Sequence, residues 1–307
     1  TKATKQRKAA ANANRFRSEL SSAAKQVSNR AAAKRAAEAN KAAANEAAAK
    51  QAKANEAAAK QAKETADIAV VSIYVNPAQF GPNEDFDTYP RTPDADIKKL
   101  QSIGIDVVFL PAKPELYPFG NEEYTQVICP RLDTMLCSIS RPHFFTGVAT
   151  VVTKLLNIVQ PTKAIFGEKD FQQLLVIKRV CKELFMPVEI IGHPIVRESS
   201  GLAMSSRNNY LTDDEKGTAA NLFKVLTQAK QDIEAKPAKL SDANYPSSLE
   251  EHARIALVEH GFKVDYFEIL NAETLTKDIH DSSKSLVIAA ACYLNKTRLI
   301  DNVFIEL

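Results

Sequence analysis

From Asp67 to Val75 the chain reads DIAVVSIYV, a nearly unbroken β-branched run. That pattern fits a strand covered on both faces, where neither side-chain direction meets water. A turn-rich stretch, NPAQFGPNEDFDTYPRTP, follows it. DADIKKLQSIG then predicts a helix stopped by Gly104, and IDVVFLP predicts a second buried strand stopped by Pro111. FTGVATVVTKLLNIVQP predicts an apolar helix ending at Pro161, and KAIFG a third strand. DFQQLLVIKRVCKELF is amphipathic at helical spacing, and PVEIIGHPIV predicts a fourth strand. Strand–helix alternation of this kind implies an α/β fold with a doubly wound parallel sheet.

After about residue 200 the order changes. TDDEKGTAANLFKVLTQAKQDIEA predicts one long helical stretch, a polar linker runs from Pro237 to Pro246, and SLEEHARIALVEHG predicts another helix. KVDYFEIL, SLVIAAACYL and TRLIDNVFIEL then predict strands. The expected organisation is a doubly wound α/β domain over 66–198 and a smaller α+β domain over 199–307.

Residues 1–65 follow a different pattern. They contain no Gly or Pro, and NEAAAKQAKA at Asn45 is nearly repeated at Asn55. Ala, Glu and Lys are strong helix formers. Glu46 with Lys50, and Glu56 with Lys60, are favourable i,i+4 pairs. A continuous helix here would be about 95 Å long. Phe16, Leu20 and Val27 are its only large apolar residues, so it has little to bury. The composition is that of a helical spacer, either low-complexity or engineered.

The formal net charge of +3 hides a split. Residues 1–65 hold fifteen Lys/Arg against five Glu, and 66–307 hold twenty-five Lys/Arg against thirty-two Asp/Glu. The basic helix raises the question of nucleic-acid binding, but its charges are scattered and no aromatics interleave them, which disfavours it. No apolar run is long enough to span a membrane. Cys129, Cys137, Cys181 and Cys292 match neither a zinc pattern nor a disulfide framework. They read as free thiols of a cytoplasmic protein.

Three polar turns carry candidate chemistry. In a doubly wound sheet ligands collect at the carboxyl ends of strands, where helix N-termini also point. IFGEKDFQQL places Lys169 and Asp170 at such an end, with Gln172 and Gln173 just inside the helix. These two glutamines are consecutive, so one alone can face the strand ends. GLAMSSRNNYL places Ser205, Ser206 and Arg207 together, a donor set suited to phosphate. VNPAQF puts Asn76 and Gln79 past the first strand.

VSIYVNPAQFGPNEDFDTYPRT, FGEKDFQQL, GLAMSSRNNYL and TRLIDNV together resemble the pantothenate synthetase (pantoate–β-alanine ligase) family, from about Ala66 to Leu307. The resemblance implies a Rossmann-like, cytidylyltransferase-like fold in a cytoplasmic homodimer. It implies that pantoate attacks the α-phosphate of ATP, and that β-alanine then displaces AMP from pantoyl adenylate. By resemblance, Gln79 and Gln173 hold pantoate with their amides, and Asn76 is expected to bind substrate with them. Gly167, Glu168, Lys169 and Asp170 hold ATP, with Lys169 on phosphate and Asp170 on ribose. Val196 lies by adenine, and Met204, Ser205, Ser206 and Arg207 form a mobile phosphate loop. Lys169, Ser205 and Arg207 are the expected catalytic groups. Mg²⁺ accompanies ATP, and Asp96 is its candidate side-chain contact, with a plain helix-face charge as the alternative.

Two departures qualify this. The family opens with a central strand and a PTMGALHxGH motif, whereas residues 1–65 contain no histidine. The strands flanking that position are expected to lose backbone partners. The family's R-P-G-H-F also reads RPHFF here, so His143 stands where glycine is usual and Phe144 where histidine is usual. Three functions therefore compete: a working ligase, a catalytically impaired ligase fold with a replaced or engineered helical N-terminus, and a basic-helix nucleic-acid binder.

Overall fold

The apolar runs of the amino-terminal half form short parallel strands with helices between them. The structure, a computed structural model, describes residues 55–307 apart from 82–83, 85, 88, 90, 121–122, 243 and 280–282. The expectations for Phe16, Leu20, Val27 and the Glu46–Lys50 pair lie outside the described residues. Helix α1 is described over 55–65, and its Glu56–Lys60 pair forms at 2.8 Å. Lys63 bonds both Asp106 carboxylate oxygens at 2.9 Å, and Gln61 meets His193 at 2.7 Å. The Ala69 N–H and Lys63 hold the Asp106 carboxyl below its usual value.

Strand β1 (Val70–Ser72) leads through helix α2 (Pro93–Ser102) to β2 (Val107–Phe109). The single-turn helices α3 (Lys113–Leu116) and α4 (Cys137–Ser140) precede α5 (Phe144–Val159). Strand β3 (Lys163–Gly167), helix α6 (Phe171–Glu183) and β4 (Glu189–His193) follow. The expected single helix after residue 212 is two, α7 (Asp213–Ala219) and α8 (Asn221–Ala235). Helix α9 (Asn244–Glu259) takes Pro246 into its first turn, so the expected linker is shorter. Strands β5 (Lys263–Asn271), β6 (Ser285–Leu294) and β7 (Thr297–Glu306) complete the chain.

The expectation of one doubly wound sheet is corrected here. β1 pairs only with β2, and β3 only with β4, as two separate parallel ladders among the described residues. Among the described residues no segment supplies the backbone groups that would bridge β1 to β3. The β-branched strand expected to be covered on both faces is half-exposed, and Ile68 beside it is 67% exposed. The third sheet, β5–β6–β7, is antiparallel.

Burial explains how these pieces hold. Leu222, Leu226, Ile233 and Leu257 of α8 and α9 pack on Phe267, Ile288 and Ile305 of the antiparallel sheet. Each fully buried side chain of this size contributes about 1.5–3 kcal/mol. A second cluster joins Phe145, Val148 and Leu156 of α5 to Leu174 and Ile177 of α6, and reaches Leu270 and Val287 of the antiparallel sheet. It crosses the expected boundary at residue 198. Val151 of α5 packs instead with Leu116 and Tyr117. Thus α5 touches both the α6 layer and the segment that follows β2.

Candidate active site

Gly167 ends β3, and residues 168–170 form one 3-10 turn that delivers the chain into α6. Lys169 is half-buried in this turn. Asp170 is exposed and its side chain makes no capping bond, so its carboxylate faces outward. Asn302 of β7 holds the turn from behind. Its side-chain Nδ2 donates to the carbonyls of both Glu168 and Lys169, each at 3.0 Å.

The second segment is a tight antiparallel hairpin. The Met204 N–H donates to the Val196 carbonyl at 2.9 Å, and the Glu198 N–H to Leu202 at 2.8 Å. This puts the expected adenine residue directly beside the expected phosphate loop. Gly201 turns the hairpin at φ +89°, where a Cβ would also lie 2.7 Å from the Phe223 ring. Arg197 is held at several points. It ion-pairs with Asp301 at 2.6 and 2.9 Å, donates to the Gly201 carbonyl at 3.0 Å, and lies 3.7 Å over Phe223. Past the hairpin, the buried Ser205 caps the turn Ser206–Tyr210 by accepting from the Arg207 N–H at 3.2 Å. Lys169, Ser205, Arg207, Asn208, Arg298 and Asp301 line one cleft. Lys169, Arg207 and Ser205 give this lining donor types suited to phosphate, beside the Asp301 carboxylate, while the Arg298 guanidinium is already paired with Asp265 at 2.7 Å.

The third segment follows β1. Asn76 is 2% exposed, and its amide is committed to the scaffold. Its Nδ2 donates to the Gly147 carbonyl at 3.1 Å, and its Oδ1 accepts from Ala78 N–H at 3.3 Å and Tyr117 hydroxyl at 2.7 Å. Asn76 therefore places Gln79 rather than facing a ligand itself. Gln79 is half-buried, and its carbonyl accepts from Arg141 at 3.3 Å. Arg141 also forms a two-bond pair with Glu84 at 2.8 and 2.6 Å and lies over Phe144 at 3.8 Å.

Of the consecutive glutamines, Gln172 is the buried one. It bonds the Cys137 N–H, the carbonyls of Leu132 and Met135, and the Ser138 hydroxyl. Gln173 is left half-exposed on the first turn of α6. Both the turn bearing Gln79 and α6 pack on α5. Asp96 sits in the first turn of α2 and accepts from Thr92 at 3.2 Å, which gives its helix-face reading a partner. No group of three His, Cys, Asp or Glu able to hold a metal occurs among the described residues.

His143 confirms the strain expected of a non-glycine residue there. It caps α5 at φ +66°, in the left-handed region. That conformation costs an L-residue about 1–2 kcal/mol, partly offset by the greater unfolded freedom of glycine. His143→Gly is expected to stabilise the protein by about 0.5–1 kcal/mol, read as a midpoint higher by roughly 1–3 °C in a thermal melt. An unchanged or lower midpoint would refute the strain.

Arg141, Arg197, Asp301 and Asn302 were not singled out by sequence reasoning. The motif TRLIDNV contains the last two, but their work depends on contacts across more than a hundred residues, which no local pattern encodes.

The pantoate-beta-alanine ligase family model matches residues 55–304. The chain is 48% identical over 244 residues to the pantothenate synthetase of Hahella chejuensis, covering 80% of this chain and 84% of that one. It is 49% identical over 237 residues to that of Alcanivorax borkumensis, covering 77% and 80%. Its fold is similar to the crystal structure of pantothenate synthetase from Thermus thermophilus, with TM-score 0.74 and 37% identity over 82% of this chain and 88% of that one. It is also similar to the pantoate-beta-alanine ligase of Francisella tularensis complexed with beta-gamma ATP and β-alanine. There the TM-score is 0.60, with 34% identity over 80% of this chain and 82% of that one.

Proposed function

The chain belongs to the pantoate–β-alanine ligase family and makes pantothenate from pantoate, β-alanine and ATP; on that premise we propose that the three segments built above are the site of the reaction. The observation that carries this is the single cleft shared by Lys169, Ser205 and Arg207. These residues come from two segments separated by more than thirty positions, and both segments are anchored to the same strand, β7.

In this reading a carboxylate oxygen of pantoate attacks the α-phosphorus of ATP and pyrophosphate leaves. The acyl carbon then carries a good leaving group. The amine of β-alanine attacks that carbon, loses a proton, and AMP departs. Lys169 and Arg207 offset the charge that builds on phosphate oxygens, and Ser205 and Ser206 offer hydroxyl donors to them. Asp170 is outward-facing and accepts from ribose hydroxyls. Gly167 and Glu168 line the ATP approach, and Val196 and Met204, joined by their backbone bond, bracket the base and the phosphate loop. Gln79 and Gln173 orient pantoate, a positioning contribution rather than a chemical one. The Francisella relative, complexed with beta-gamma ATP and β-alanine, supports the pairing of these two ligands.

Mg²⁺ is best treated as part of the substrate. The described residues bring no set of carboxylates together for it, and Mg²⁺ commonly retains waters and binds nucleotide phosphates. Asp96 is already engaged by Thr92. In the same reading 66–198 forms a cytidylyltransferase-like ATP and pantoate domain, 199–307 is the smaller α+β domain, and the chain is a homodimer.

The test is AMP release with ATP and Mg²⁺. Release is expected to require both pantoate and β-alanine, and to fall about 10²-fold in Lys169→Ala. No turnover by the folded protein would place the chain with the impaired members of the family fold. AMP release unaffected by Lys169→Ala would remove the cleft from the reaction.

A further inference from the structure

Two separate nucleotide segments meet on one dipeptide of the antiparallel sheet. Asp301 is 4% exposed and takes Arg197, at the base of the 196–204 hairpin. Asn302 is 3% exposed and takes the two carbonyls of the 168–170 turn. The dipeptide is itself tied together, because the Asn302 N–H donates to Asp301 Oδ1 at 2.8 Å. Arg197 also donates to the Asn302 carbonyl at 3.3 Å. Asn302 Oδ1 is buried with no partner, so the side chain is held by its donor end alone.

The consequence follows from peptide geometry. In a planar trans peptide the N–H points opposite to the preceding C=O. No cis peptide occurs among the described residues. Drawing the Glu168 and Lys169 carbonyls back to Asn302 therefore aims the N–H groups of Lys169 and Asp170 away from β7. Those N–H groups belong to the turn that opens α6, a thirteen-residue helix whose N-terminal dipole favours negative charge. A side-chain amide is the only uncharged group with two N–H donors on one atom, which is what two adjacent carbonyls require.

We propose that Asn302 is a positioning residue for ATP. Its amide sets the two peptide planes that present the Lys169 and Asp170 N–H groups to the nucleotide. Through Asp301 and Arg197 the same strand sets where the Ser205–Arg207 loop stands relative to them. Asn302 touches no substrate. This rests on the reading of 167–170 as the ATP segment.

The test compares affinities, because a residue that only supports the fold would not choose between substrates. Asn302→Asp keeps the shape and puts oxygen where the donors were. Asn302→Ser keeps one donor. Calorimetric Kd values for ATP and, separately, for pantoate are measured at a temperature where each variant retains the parent's near-UV circular dichroism. Losing the two bonds is expected to weaken ATP binding by about tenfold or more in Asn302→Asp, and by less in Asn302→Ser. Pantoate affinity is expected to stay within about twofold of the parent's. Equal losses for both ligands, or a lower melting midpoint with both affinities unchanged, would overturn the proposal. If Asn302→Asp does not fold, the graded result in Asn302→Ser decides alone. Absence of ATP binding by the unmodified chain would instead refute the ATP segment itself, and is seen before any variant is made.

Discussion

Asp301→Ala is expected to unfold with about 3 kcal/mol less free energy than the parent chain, the largest stability loss of any single truncation at the site. Removing the carboxylate strands the Arg197 guanidinium, whose side chain is only 18% exposed. It keeps the Gly201 and Asn302 carbonyls and the Phe223 ring, but no counter-charge. The loss does not measure what the pair adds. Burial pushes the Asp301 carboxyl above its usual value, against the pull of Arg197. A carboxyl raised on folding stabilises in its protonated form, fully below the unfolded pKa near ~4, and this contribution is lost as pH rises through the folded pKa. What Asp301 supplies is the partner that holds Arg197, and with it the hairpin. The double variant Arg197→Met/Asp301→Leu should accordingly recover much of the loss in urea melts, while losing ATP affinity. If Asp301→Ala is neutral, or the double variant is worse than the single one, the pair is itself stabilising or the hairpin does not depend on it.

A second expected result separates two glycines that look alike in sequence. Both Gly147 and Gly217 lie inside helices, where replacement by alanine normally gains about 1 kcal/mol of helix propensity. At Gly217 a Cβ meets nothing within 4 Å, so Gly217→Ala should stabilise by about 0.5–1 kcal/mol. At Gly147 a Cβ would lie 2.3 Å from the Ala78 carbonyl oxygen and 3.1 Å from the Gln79 nitrogen. Backbone atoms cannot rotate away, so α5 and the 77–79 turn must separate. That overpacking costs about 1–3 kcal/mol, and the Asn76–Gly147 bond is strained with it, for about 1 kcal/mol more. The net expectation for Gly147→Ala is a loss of about 2 kcal/mol. Pantoate affinity should fall as well, because Gln79 stands on the displaced turn. Urea melts of the two variants check the sign, and opposite signs are the prediction. Two stabilising replacements would mean α5 and the turn do not touch.

Local patterns determined most of the elements. The apolar runs predicted β3 and α6 nearly to the residue, because a five-residue strand and a thirteen-residue amphipathic helix are set by side-chain periodicity. The alternation of strand and helix predicted parallel pairing. The same reasoning established that only one of Gln172 and Gln173 could face the strand ends. It could not say which, since that depends on the carbonyls of Leu132 and Met135, nearly forty residues away. Composition likewise established that residues 1–65 contain no histidine, and the family match begins at residue 55, inside the stretch expected to lie outside it. The tertiary structure decided the pairing: a parallel ladder is completed by backbone groups from distant segments, and among the described residues the parallel strands stand as two separate ladders. It also decided that Asn76, legible as a polar residue at a strand end, is used up inside the scaffold. Arg197, Asp301 and Asn302 were invisible for the same reason. A hydrogen bond or ion pair between residues a hundred positions apart leaves no spacing to read, and it comes into being only when the antiparallel sheet closes against the two turns.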